Sequence, residues 1–92
     1  MSYPMAPLPT VGDLISAFER NRAKRRSAGP ITGPRGPVML IYLERVTADG
    51  DVLYTEPLPE GEETRVAWDT VRRLCRQLDL EPQQLDIGLD LG

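Results

Sequence analysis

Residues 17–38, AFERNRAKRRSAGPITGPRGPV, decide how this chain is divided. A short amphipathic segment precedes the stretch, and an acidic, apolar-rich block follows it. Six of the eleven Lys and Arg residues fall inside it, although the chain as a whole carries a net charge of −3. Its second half, SAGPITGPRGP, is dense in Gly and Pro. Proline removes backbone donors and glycine favours no regular structure, so residues 27–37 are predicted to be a linker. On that reading the chain falls into two parts, residues 1–36 and residues 37–92.

Charge supports the same division. Residues 1–36 hold six basic side chains against Asp13 and Glu19, whereas residues 37–92 hold five Arg against twelve Asp and Glu. Such asymmetry marks a basic arm on an acidic body.

Within the arm, residues 1–9 hold three prolines and are predicted to be extended and mobile. Residues 10–26 are predicted to be helical. Thr10 is placed as N-cap, with Asp13 three residues on as an imperfect capping box. Val11, Leu14, Ile15 and Phe18 follow at i, i+3, i+4 and i+7, which puts them on one helical face. The remainder, ERNRAKRRS, is polar on nearly every side and does not extend the stripe.

The body opens with VMLIYLERV (38–46), the strongest strand signal, rich in β-branched and aromatic residues. Asp49-Gly50 is a hairpin turn signal, and DVLYTEPL (51–58) returns as the second strand until Pro57 ends it. The acidic turn PEGEE (59–63) leads into a helix with Thr64 as N-cap. Its apolar stripe is Ala67, Val71, Leu74, Cys75 and Leu78, and Trp68 stands beside the stripe. Pro82 opens a one-turn helix over PQQL. The tail DIGLDLG (86–92) is apolar at Ile87, Leu89 and Leu91, which suits either a short third strand or a frayed end. The expected fold is therefore α+β: a β-hairpin, with the C-terminal tail as an optional third strand, packed on one main α-helix and preceded by a tethered N-terminal amphipathic helix.

Catalytic chemistry is poorly supplied. The absence of histidine removes the commonest general base and metal ligand, and the usual partner of a Ser or Cys nucleophile. Cys75 lies on an apolar stripe, where a thiol is inert packing. The glycines of GPITGPRGP match neither phosphate-loop pattern. Asp49, Asp51 and Glu60 imitate the ends of a calcium loop, but Leu53 and Tyr54 occupy positions where an oxygen ligand and a glycine are needed. No enzyme activity, cofactor or metal is expected. One cysteine, no basic-plus-apolar leader in MSYPMAPLPT and no apolar run longer than VMLIYL give the expectation of a cytoplasmic protein without membrane contact.

Binding is the better-supplied function. A lone amphipathic helix of this length is marginal in water. It packs either on its own domain or in a groove on a partner. The sequence reading favours the partner, with Val11, Leu14, Ile15 and Phe18 as apolar anchors and Arg20, Arg22, Lys24, Arg25 and Arg26 steering toward an acidic surface. The expected role is a non-catalytic adaptor, regulator or inhibitor that docks this basic helix on an acidic or grooved protein. The alternative is a nucleic-acid-binding regulator using RNRAKRR (20–26), although no aromatic residue is interleaved there for base stacking. Along the strand at 38–43, Val38, Leu40 and Tyr42 lie opposite Met39, Ile41 and Leu43 on the pleat, so one helix covers only one set. The other set calls for the N-terminal helix, the tail, a target or a second copy, which makes a homodimer a further expectation.

Overall fold

The computed structural model describes residues 8–85. Helix α1 spans Val11–Arg20, strand β1 Ala23–Gly33, strand β2 Gly36–Val46, strand β3 Val52–Tyr54 and helix α2 Trp68–Gln77; a single 3-10 turn covers Pro82–Leu85. The strands form one antiparallel sheet in the order β1-β2-β3. The fold is α+β as the sequence suggests. The proposed strand in DIGLDLG and the first seven residues of the Pro-rich arm lie outside the described residues.

Helix α1 starts where the sequence places it. Thr10 Oγ1 accepts from the Asp13 amide at 3.1 Å, and the Asp13 carboxylate accepts from the Thr10 amide at 3.0 Å. Those bonds hold the Asp13 carboxyl below its ordinary value, the backbone amide of Thr10 being the main cause. The amides of Val11 and Gly12 donate to the Thr64 and Glu62 carbonyls, both at 2.9 Å. All four donors of the first turn therefore have partners.

The same helix ends six residues before its expected end at 26. Its apolar stripe stops at Phe18, and nothing beyond has a face to bury. Asn21 closes it: the side-chain amide donates to the Ala17 and Gln84 carbonyls at 2.9 and 3.0 Å. Arg22 then turns the chain at φ 69°.

From Ala23 the backbone is a strand, so the Gly/Pro segment is not a linker. Residues 23–28 pair with Arg45 back to Leu40, and residues 31–33 pair with Val38 back to Gly36. Two features reconcile this with the composition. β1 is an edge strand, where a residue without an N–H is tolerated. Moreover, the register shifts between Ala28 and Ile31, so Gly29 and Pro30 fall in an irregularity that asks for no ladder bond. Gly29 sits at φ 122°, where a Cβ would come 2.9 Å from the Val38 carbonyl oxygen. Pro34 and Arg35 form the two-residue tip between Gly33 and Gly36. The boundary at residue 36 thus falls inside a paired hairpin. The hairpin expected around Asp49-Gly50 is also present, with β3 pairing Val46–Glu44.

Both helices cover one face of the sheet. Phe18 and Leu14 from α1, Leu43 from β2, and Val71, Leu74 and Cys75 from α2 are fully buried, with Leu78 and Leu85 beyond it. Ile41, Leu53 and Trp68 pack around this core. Helix α2 begins at Trp68, with Ala67 and not Thr64 at its N-cap. The Thr64 hydroxyl donates to the Glu60 carbonyl instead and shapes the acidic turn. At the other end, Arg45 Nη1 donates to the Leu78 carbonyl at 2.8 Å, placing a cation where the helix dipole favours one.

Thr55 completes the ladder beyond β3. Its hydroxyl accepts from the buried Leu43 amide at 3.0 Å, and its own amide donates to the Leu43 carbonyl at 2.9 Å. Thr55→Ala is expected to cost about 1–3 kcal/mol, because the Leu43 N–H is left without a partner. Urea titration of the variant checks this.

Glu56 ties the segment after β3 to α2. Its carboxylate accepts from Arg73 Nε at 2.7 Å and from Gln77 Nε2 at 2.9 Å. Arg73 first and Gln77 second hold the Glu56 carboxyl below its ordinary value of 4.5. A depressed carboxyl stabilises the fold above the ordinary value, and that contribution disappears as pH falls through the folded one. The urea midpoint of the wild type is expected to drop more than that of Glu56→Gln between about pH 6 and about pH 3. Parallel titration curves for the two proteins would contradict the assignment.

Candidate binding surface

The structure separates the residues that the sequence reading grouped into one docking element. Val11, Leu14, Ile15 and Phe18 do share one face of α1, and that face is turned inward; Leu14 and Phe18 are wholly inaccessible. A partner would reach these four only after α1 left the core. The cations are not on the helix, apart from Arg20. Arg20 Nη2 donates to the Leu85 carbonyl at 3.1 Å and helps fix the C-terminal 3-10 turn. Arg22 is exposed at the turn into β1.

Lys24, Arg25 and Arg26 are consecutive on β1 and therefore alternate between faces. Arg25, paired with Leu43, projects on the helix side, 3.5 Å from Glu62. Lys24 and Arg26 project on the other side, paired with Glu44 and Tyr42. Arg26 Nε donates to Glu44 at 3.0 Å, and that carboxylate raises the guanidinium above its ordinary value. Three of the five cations are thus engaged by the chain's own acceptors, two of them by carboxylates.

The surface left open is the outer face of the sheet. The pairing register places Ile31 of β1, Val38, Leu40, Tyr42 and Val46 of β2, and Val52 and Tyr54 of β3 on this side. Four of them are large, apolar and about half exposed: Ile31 48 %, Val46 52 %, Val52 47 % and Tyr54 53 %. None of the described elements covers them. Tyr42 and Tyr54 meet edge to face with ring centres 5.9 Å apart. Beside them Ala28, Leu40, Thr55 and Pro57 complete a shallow depression of about 320 Å³. A contiguous apolar face of this kind marks an interaction site more often than an accident of composition.

The alternation of 38–43 already shows that one set of side chains lacks a cover. It does not show which set, because that depends on where the helices lie. Met39, Ile41 and Leu43 take the helix side, and Val38, Leu40 and Tyr42 face out. Ile31, Val52 and Tyr54 escape the sequence reading altogether. Ile31 sits in the supposed linker, and the other two join the face only through the β2–β3 register.

Among the described residues no three His, Cys, Asp or Glu side chains gather to hold a metal ion. Burial, with a smaller contribution from Glu81, pushes the Cys75 thiol up to about 11. Its alkylation by iodoacetamide at pH 8 is expected to be slower than that of the urea-unfolded chain by at least about 100-fold. Equal rates would show that the thiol is open to solvent. No described helix is long and apolar enough to cross a membrane.

No protein-family model, no curated protein and no solved structure matches this chain.

Proposed function

We propose that this protein is a non-catalytic adaptor, regulator or inhibitor that binds another protein through the outer face of its sheet. The observation that carries this reading is the set Ile31, Val46, Val52 and Tyr54, exposed on one side of the sheet while both helices pack on the other. The face joins aliphatic side chains and two tyrosines, and its charge, Glu44 with Lys24 and Arg26, lies between Tyr42 and the Val46–Val52 end. Lys24, which makes no ion pair among the described residues, suits a partner with a carboxylate at that end. Relocating the contact from α1 to the sheet keeps the acidic-partner chemistry and replaces the element that delivers it.

The tyrosines also bear on nucleic acid, since the fold sets two aromatic rings beside Arg26, which the linear sequence does not. Protein is favoured because the Arg26 guanidinium is already paired and the aliphatic residues outnumber the rings. The test is affinity capture from the native extract, with and without nuclease, using wild type and the folded variants Val46→Glu and Tyr54→Glu. The reading expects one species captured at fixed stoichiometry, unaffected by nuclease and lost with both variants. Capture that depends on intact nucleic acid, or that survives both substitutions, overturns it.

A further inference from the structure

The inner side of the β1–β2 hairpin is only partly covered. Toward its tip, the helices give way to a cleft of about 560 Å³ between β2 and the 58–62 turn. Its walls are Val11, Ile15, Met39, Ile41 and Leu58, and Met39 is 48 % exposed. Its rim carries Glu60 and Glu62 on either side of Gly61, with Arg25 facing Glu62. Arg25 reaches Glu62 at 3.5 Å with both side chains more than half exposed, and Glu60 has no ion-pair partner among the described residues. The cleft thus asks for an occupant that is apolar and carries positive charge.

The same hairpin ends in such a group. Pro34 and Arg35 form its tip, Ile31 and Pro37 flank it, and Arg35 makes no ion pair among the described residues. We infer that the occupant is a second copy of this chain: each hairpin tip seats in the cleft of the other copy, with Arg35 against Glu60 and Glu62. Because the cleft lies on the underside of the hairpin that carries the tip, two hairpins crossed about a two-fold axis fill both clefts at once. That geometry closes into a dimer and leaves no free tip or cleft to propagate a chain. It buries Met39 and the apolar walls together with Ile31 beside the tip, and it leaves Val46, Val52 and Tyr54 of the outer face free, so the inference does not depend on the proposed function.

Charge exchange tests the inference on the full chain. Sedimentation equilibrium is expected to give a particle of twice 10.3 kDa for the wild type. Arg35→Glu alone, and Glu60→Arg with Glu62→Arg alone, are each expected to weaken dimerisation by at least about 100-fold, since like charges then meet at both contacts. Mixing the two variants restores the dimer, because each reversed tip meets a reversed cleft while the native tip meets the native cleft. All substituted positions are exposed, and circular dichroism verifies that each variant is folded. Val46→Glu and Tyr54→Glu are expected to leave the dimer intact, which separates this interface from the outer face. A monomeric wild type at about 100 µM, well above the micromolar range of weak specific association, overturns the inference. A dimer indifferent to the charge reversals, a mixture that fails to reassociate, or open-ended assembly does the same.

Discussion

Phe18→Ala is expected to lower stability by about 3–5 kcal/mol, and Phe18→Asp to leave no cooperative folding transition. Phe18 is the largest fully buried side chain among the described residues and has no exposed atoms to relax toward. Truncation removes the ring and opens a void in the core that also holds Leu14, Leu43, Leu74 and Leu85, all inaccessible. A domain of this size has only about 5–10 kcal/mol to lose. At roughly 4–8 °C per kcal/mol, the alanine variant is expected to melt more than about 10 °C below the wild type. Scanning calorimetry is the direct measurement. A helix docked on a foreign partner and leaving its own domain intact would give a different result, because the isolated protein would then melt unchanged. A Phe18→Ala variant within about 1 kcal/mol of wild type would contradict the burial described for α1.

The second large effect is that of dividing the chain. Residues 37–92 alone are expected to be unfolded, without a thermal transition and without dispersed amide resonances. The cut removes Val11, Leu14, Ile15, Ala17, Phe18 and Ala23, six of the fifteen buried apolar residues among those described. It also strips β2 of its eleven-residue neighbour and leaves it paired only with the three residues of β3. A two-stranded sheet so short does not stand alone in water. The carbonyls of Glu62 and Thr64 would lose the α1 amides that they accept. A folded 37–92 fragment would mean that the basic segment is a dispensable arm after all.

Much of the fold is legible from local patterns. Thr10 with Asp13 fixes one helix start, Asp49-Gly50 marks one turn, and the spacing of Val71, Leu74, Cys75 and Leu78 marks the second helix. These signals work because each acts within a few residues. β1 is not legible in this way. Its own side chains are almost all exposed, so no burial period is imprinted on AKRRSAGPITG. It is a strand because β2 offers it a ladder, and that cause lies across the hairpin. The difference between the docking face expected from the sequence and the face proposed above has the same origin. The stripe of α1 is visible from spacing, but whether it faces a partner or its own domain depends on the sheet behind it. The outer face is assembled from three strands and exists only once their register is set.

The arrangement along β1 has one more effect. A long strand at the border of a sheet is an open invitation to polymerise, one sheet adding to the next through bare amides and carbonyls. Here that border carries three consecutive cations and then a proline, with the ladder interrupted between Ala28 and Ile31. Neighbouring molecules that approach side by side meet repulsion first and a missing donor next. Crowded copies of this chain are thereby kept from fibrous growth along that border.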